Sequence, residues 1–391
     1  MSRRYSSSAS PLEDEDLLQE ILLRLPPMPS SLPRASLVCK RWRSILSDAR
    51  FISRFRKHHR IPPLLGFFEG KPSWRNYIFT SILEPPDRVP AARFMVPLSL
   101  SMHWGFMGCP QGLIVMFKES SCETVVCDPL TGQQHRVASP PVMNLDDGEC
   151  WDTATVLCAD AEDGHVHGDC FSSPFKLVLI CEGYLRAFLC LYDSVSGVWG
   201  DVVSTATTTI CQNLFLRPGI LAGNALCWGI GGGHILAFDL ETQSLGVIEK
   251  PTDAHVTGDV LEVSCFQPLR MENGGLGLAV LSEFTVQLWA RSICDGVVGW
   301  VLQKTILLEG LLPQEVHSHD GPAHFVGYDE DANMVVLSTM IGNFTLQLDS
   351  MLIRHIIRRN EMCYNSFYPY RNFYTAGRRV EWNWLDLKTE L

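Results

Sequence analysis

One unit recurs along this chain: an apolar strand, an aspartate, a tight turn and a second apolar strand. It reads Val125-Val126-Cys127-Asp128-Pro129-Leu130-Thr131-Gly132, and again Leu189-Cys190-Leu191-Tyr192-Asp193-Ser194-Val195-Ser196-Gly197. Leu236-Ala237-Phe238-Asp239-Leu240-Glu241-Thr242 and Leu346-Gln347-Leu348-Asp349-Ser350 are weaker copies, and Val286-Gln287-Leu288-Trp289-Ala290-Arg291 lacks the aspartate. Aspartate opening the turn and glycine closing it are what a hairpin with a type I turn and a bulge requires. A second element, Gly108-Cys109-Pro110-Gln111-Gly112-Leu113-Ile114 and later Gly219 to Trp228, stands ahead of some copies. Each repeat supplies roughly four strands at a period of about 45 to 65 residues, which predicts a β-propeller whose blades bury their faces against their neighbours. The roughly 330 residues after residue 60 accommodate six or seven blades; a pair of stacked sheets is the other architecture compatible with irregular spacing.

The first 60 residues follow a different rule. Leu17, Leu18, Ile21, Leu22 and Leu25 fall on one helical stripe that Pro26 terminates, and the acidic run Glu13 to Asp16 suits the positive end of the helix dipole. Ser30 or Ser31 can cap a second helix with Pro33 in its first turn. Val38, Trp42, Ile45 and Leu46 make a second apolar stripe, and Asp48 is placed to cap a third segment carrying Phe51 and Phe55. Three short helices in about 45 residues are too few to stabilise a core unaided, so this unit calls for a partner. The boundary is set at Ile61-Pro62-Pro63, giving a disordered tail at 1–10, a helical domain at 11–60 and an all-β domain at 61–391.

The helix ending in Leu25-Pro26, the run Val38-Cys39-Lys40-Arg41-Trp42 and Phe51 resemble an F-box in order and spacing; the opening departs, with Glu13 after Leu12. His58-His59-Arg60-Ile61-Pro62-Pro63-Leu64-Leu65-Gly66-Phe67-Phe68 is similar to the joint in a large group of grass F-box proteins. Asp128-Pro129-Leu130-Thr131-Gly132 followed by Ser139-Pro140-Pro141 resembles the propeller-like domain of plant F-box proteins. Tyr368-Pro369-Tyr370 through Gly377 resembles the closing signature of the grass group, and is read here as a last strand closing the ring rather than a ligand site. The resemblance implies a receptor subunit of a ubiquitin ligase, docked on a Skp-type adaptor and through it on a cullin-RING ligase, with the propeller holding an unknown protein substrate. It implies an adaptor contact through Leu17, Leu18, Leu22, Leu25, Pro26, Val38, Cys39, Lys40 and Trp42, since apolar and aromatic anchors dominate such interfaces. A propeller scaffold or glycan-binding module whose F-box no longer engages the adaptor is the alternative.

Charge divides the chain as architecture does. Residues 1–60 hold 12 Lys/Arg and 6 Asp/Glu; the totals of 32 and 43 leave 20 and 37, a net of −17, for the rest. An acidic body argues against binding a phosphate backbone. A helix-turn-helix reading of Arg34, Lys40, Arg41, Arg43, Arg50, Arg54, Arg56 and Lys57 fails because these residues interleave with core positions. The 14 cysteines contain no C-x-x-C pair, and Cys127, Cys158, Cys181, Cys190 and Cys227 sit in apolar runs, so reduced thiols in the cytoplasm or nucleus are expected. Glu162 to Cys170, with His165 and His167, and the group His317, His319, Asp320 and His324 carry metal-ligand residue types but read as loops. Asp146, Asp147 and Glu149, like Asp329, Glu330 and Asp331, are adjacent turn residues; no catalytic motif appears and no enzyme, cofactor or metal is expected. The Ser- and Arg-rich start leaves little room for a targeting peptide before Glu13, and no apolar run approaches the ~20 residues of a membrane span.

Overall fold

The computed structural model describes residues 14–374 apart from 71–76, 95–103, 119–120, 122, 141–152, 159–170, 172, 184, 208–218, 255–261, 295–296, 318–322 and 359–364. The expected tail at 1–10 and the Leu12-Glu13 opening lie outside the described residues.

Residues 15–59 form four helices, one more than the periodicity predicts. α1 (Glu15–Leu23) starts at Asp14, whose carboxylate accepts the amides of Asp16 and Leu17 at 2.9 and 3.2 Å. α2 (Ser31–Ser36) follows Ser30, whose side chain makes no capping bond. The stripe from Val38 to Leu46 is not one helix. Cys39 is fully extended (φ −160°, ψ 169°) and its sulfur accepts the Trp42 amide at 3.5 Å, so α3 (Lys40–Ser47) starts after it and Val38 is left in the turn. Asp48 caps α4 (Ala49–His59) as expected, accepting the amides of Arg50 and Phe51 at 2.7 and 3.2 Å.

The remaining strands form six antiparallel sheets arranged as a six-bladed propeller. Blades 2 to 6 occupy residues 104–138, 153–206, 220–248, 266–307 and 324–358. Blade 1 is a composite: Leu64–Gly70 and Tyr77–Ser81 pair with Ser366–Arg371 from the far end of the chain. The tail at Tyr368 thus closes the ring, as its reading predicts. Phe68, Phe79, Phe94 and Tyr370 pack around this seam with ring centroids 4.2–6.0 Å apart. Such edge-on and tilted aromatic pairs add to the burial that joins the two ends.

The recurring aspartates build the outer hairpins of the blades. The Asp128 carboxylate accepts the Leu130 amide at 2.8 Å and the Thr131 hydroxyl at 2.7 Å, and Gly132 returns its amide to the Asp128 carbonyl at 2.8 Å with φ +73°. Asp193 and Gly197 repeat this, with φ +70° at the glycine. In blade 5 no aspartate interrupts the apolar run, and the hairpin simply continues to strands Thr285–Cys294 and Val297–Leu307. Among the described residues no disulfide joins Cys39, Cys109, Cys127, Cys158, Cys181, Cys190, Cys227 or Cys265 to another. Burial pushes the Cys127 and Cys227 thiols up to about 12, so they act as small apolar groups rather than nucleophiles.

Candidate functional site

In the helical unit the nine residues expected to meet an adaptor separate into core and surface. Leu18 and Leu22 are fully buried, packed with Leu32, Ile45, Leu46, Phe51 and Phe55. They support the surface and cannot themselves touch another protein. Leu17 is 50% exposed and Val38 62%. Pro26, Cys39 and Lys40 are exposed, while Leu25 and Trp42 are half-buried against the core. Two further apolar side chains belong with the exposed set: Ile21 at 44% and Leu37 at 74%. Ile21 lies four residues after Leu17 on the same face of α1, a pairing the helical period already contains. Leu37 had no sequence signal, because its exposure follows from the break at Cys39. Covering such side chains contributes on the order of 1–2 kcal/mol each.

The unit is tied to the propeller at one end of the ring. Phe373, two residues past the closing strand, enters the helical core and meets Phe55 edge-on at 6.3 Å. Just before it, Arg371 grips the carboxylate of Asp329: Nε lies 2.9 and 3.0 Å from its two oxygens and an Nη 2.6 Å from one of them. The other Nη donates to the Pro62 carbonyl at 2.8 Å. One side chain thereby joins the closing strand, blade 6 and the linker from α4. Gly112 (φ +78°) makes room for this arrangement, since a Cβ there would stand 2.7 Å from the Arg371 carbonyl oxygen. Asp87 adds a third tie by accepting the Ser30 amide at 2.9 Å. His59 Nε2 lies 3.0 Å from the Leu23 carbonyl, and burial, followed by the charge of His58, holds its pKa below the ordinary value.

The ring's central channel opens beside this joint. A cavity of about 140 Å³ is lined there by Gln111, Arg270, Glu330, Asp331 and Arg371, well short of the ~300 Å³ at which small-molecule pockets begin. Packing around the channel and then the Asp331 charge push the Glu330 carboxyl up to about 7, while its side chain keeps contact with solvent. Asp329 and Asp331 belong to the Arg371 joint rather than to paired catalytic carboxylates. The Glu162 to Cys170 cluster and Asp146, Asp147 and Glu149 lie outside the described residues. In the second histidine group, His324 is buried with Nδ1 2.8 Å from Ser264 Oγ. Among the described residues no three His, Cys, Asp or Glu side chains could share a metal ion, and no helix is long and apolar enough to cross a membrane.

Two family profiles match the chain. That of the F-box domain matches residues 14–54, covering all but the end of the four-helix unit. That of "F-box protein AT5G49610-like, beta-propeller" matches residues 106–373, more than half of the chain. The chain belongs to this family. Its helical unit is accordingly an F-box, a domain whose general partner is a Skp-type adaptor, and blades 2 to 6 with the closing strand are its propeller. No curated protein matches the chain. Among solved structures, the Dos1 propeller superposes with TM-score 0.36 at 10% identity over 76% of this chain and 69% of that one. A Bacteroides caccae protein of unknown function gives 0.39 at 9% identity over 79% and 100%. The extracellular domain of BT4673 from B. thetaiotaomicron gives 0.32 at 11% identity, and the match spans only 28% of that chain. Scores this low carry no argument about function.

Proposed function

We propose that this protein is a substrate-receptor subunit of a Skp-cullin-F-box ubiquitin ligase. The observation that carries the reading is an F-box with exposed Leu17, Ile21, Leu37 and Val38, fixed to a propeller through Phe373 and Arg371. The exposed side chains are the adaptor anchors, flanked by Leu25, Pro26, Cys39, Lys40 and Trp42; Leu18 and Leu22 hold them in place. The chain performs no covalent step. It raises the effective concentration of a protein target near the charged conjugating enzyme, and the fixed joint limits the volume the target can explore. The reduced thiols suit work in the cytoplasm or nucleus, and the likeness of the joint and tail to the grass F-box group supports reading the chain as a plant receptor.

The test is binding of the full chain to a purified Skp-type adaptor by calorimetry. A Leu17→Ala, Val38→Ala double variant that folds normally should bind at least about tenfold more weakly, the equivalent of ~1.4 kcal/mol. Absence of binding by folded wild-type protein defeats the reading and leaves a propeller scaffold or glycan-binding module.

A further inference from the structure

Blade 5 differs from the others at its outer edge. The outermost strand of blade 2, Gln134–Ala138, carries His135 and Arg136, and that of blade 6, Ile353–Arg358, carries Arg354 and His355. Charges of this kind keep an open edge from pairing with other chains. In blade 3 the third strand is covered by two short segments, Val198–Trp199 and Val203–Ala206, and in blade 4 the outer strand has five residues. In blade 5 the outer strand, Val297–Leu307, has 11 residues and a single charge, Lys304, whose ammonium is committed to the Leu348 carbonyl at 3.1 Å. No described strand pairs with its far side.

The same hairpin also outruns its blade. The second strand of the blade pairs with the third only as far as Gly277 opposite Ala290, so Arg291 to Cys294 and Val297 to Trp300 project as a two-stranded ribbon. A bare ribbon is marginally stable in water. The hairpin's exposed apolar side chains, Ile293, Val298, Val301, Leu302 and Leu307, are the largest such group among the described residues of the propeller. Cross-strand partners Ile293 and Val298, Arg291 and Trp300, and Trp289 and Leu302 share one face. Of these, Trp289, Arg291, Val298 and Trp300 wall a groove of about 420 Å³ with Lys250 of blade 4, where Trp300 Nε1 donates to the Glu249 carbonyl at 2.8 Å. Arg291 has no ion-pair partner among the described residues, although Glu249 and Asp253 also line the groove.

We infer that the open edge of Val297–Leu307 is a docking site for an extended segment of a partner protein, which adds as a fifth strand to blade 5. Backbone groups along the edge recognise a strand. Val298, Trp300 and Leu302 recognise apolar side chains at alternate positions on the groove side, and Arg291 recognises a carboxylate among them. A second copy of this chain is disfavoured because each propeller body carries a net charge of −17, from 20 Lys/Arg and 37 Asp/Glu after residue 60. Third-to-fourth-strand hairpins emerge at the end of the ring where Pro62 meets the channel, so the bound segment lies on the F-box side. That the partner is a ubiquitination target rests on the receptor reading above; that the edge binds a strand does not.

The test is selection of a phage-displayed random dodecapeptide library on the full chain, followed by affinity measurement with a synthetic peptide of the enriched consensus. The expected consensus alternates apolar residues, contains Asp or Glu and lacks proline in the paired stretch. Its affinity should fall at least tenfold for a Val298→Lys, Leu302→Lys variant, and Arg291→Glu should exchange the acidic preference for a basic one. N-methylation of alternate peptide amides should abolish binding in one register and spare it in the other. Failure to enrich peptides, binding indifferent to these changes, or a concentration-dependent dimer that the lysine variant dissolves would each overturn the inference. Adaptor binding of the same variants should be unchanged, which separates failure of this edge from failure of the receptor reading and reports that the variants fold.

Discussion

The F-box and the propeller both distribute their burial over small pieces, but they complete themselves differently. Each of blades 2 to 6 finds its partners in the adjoining blades, and the seam at blade 1 is closed by a strand from about 300 residues away, Ser366–Arg371. The F-box has a core of a few side chains around Leu18, Leu22, Phe51 and Phe55, and takes its last aromatic, Phe373, from that same distant strand's end. A repeat ring is stabilised by many similar contacts of which none is unique. A unit of 45 residues depends on single ones, because it buries too little surface to spare any.

This contrast can be broken by three measurements. The largest effect is expected at Arg371, the group both regions share: Arg371→Met leaves the nearly fully buried Asp329 carboxylate unpaired and frees the linker, costing about 3–5 kcal/mol. Chemical denaturation of the full chain measures it, and an unchanged midpoint would show that the joint contributes nothing to either region. Next is Phe373→Ala, expected to cost about 3 kcal/mol by leaving a cavity beside Phe55. Hydrogen exchange should rise in α1 and α4 and stay constant in blades 2 to 6; a uniform rise would erase the distinction drawn here. The smallest effect is with pH. His59 has its pKa held below 6.5 by burial and by His58, so the folded F-box binds fewer protons than the unfolded one. The stability contributed by its neutral ring is complete above 6.5 and is lost as pH falls from there through the depressed folded value. In the ring, Glu330, raised to about 7, acts with the opposite sign, favouring the fold below the ordinary 4.5 and losing that advantage as pH rises towards 7, an effect its solvent contact weakens. Amide protection in α1 and α4 should therefore decline between pH 7 and 5 before that of the blades.

Much of this was legible in the residues. Asp48 announces its cap and Asp128 and Asp193 their turns, because each acts through neighbours within a few positions, whereas the closing strand at Tyr368-Pro369-Tyr370 is legible only through its likeness to a family signature. The division of labour in α1 was not. A helical stripe states which side chains share a face, but only the positions of α3 and α4 decide that Leu18 and Leu22 turn inward and Leu17 and Ile21 outward. The split between α2 and α3 was hidden because Cys39 caps through sulfur, outside the usual capping residues. The spacing of the repeats does not separate six blades from seven, because one blade is assembled from two stretches far apart in the chain. The place of Phe373 in the F-box core depends on ring closure, which no local pattern contains.

The Phe373 insertion also sets an order of events during synthesis. The F-box helices are made before the blades, yet the side chain that completes their core follows more than 300 residues later. At ~5–20 residues per second, this leaves the helices waiting on the order of tens of seconds on the ribosome with a gap beside Phe55. A chain cut short anywhere in the blades carries the exposed Leu17, Ile21, Leu37 and Val38 and still lacks the side chain that completes the core beneath them, so Phe373 acts as a receipt for a finished ring.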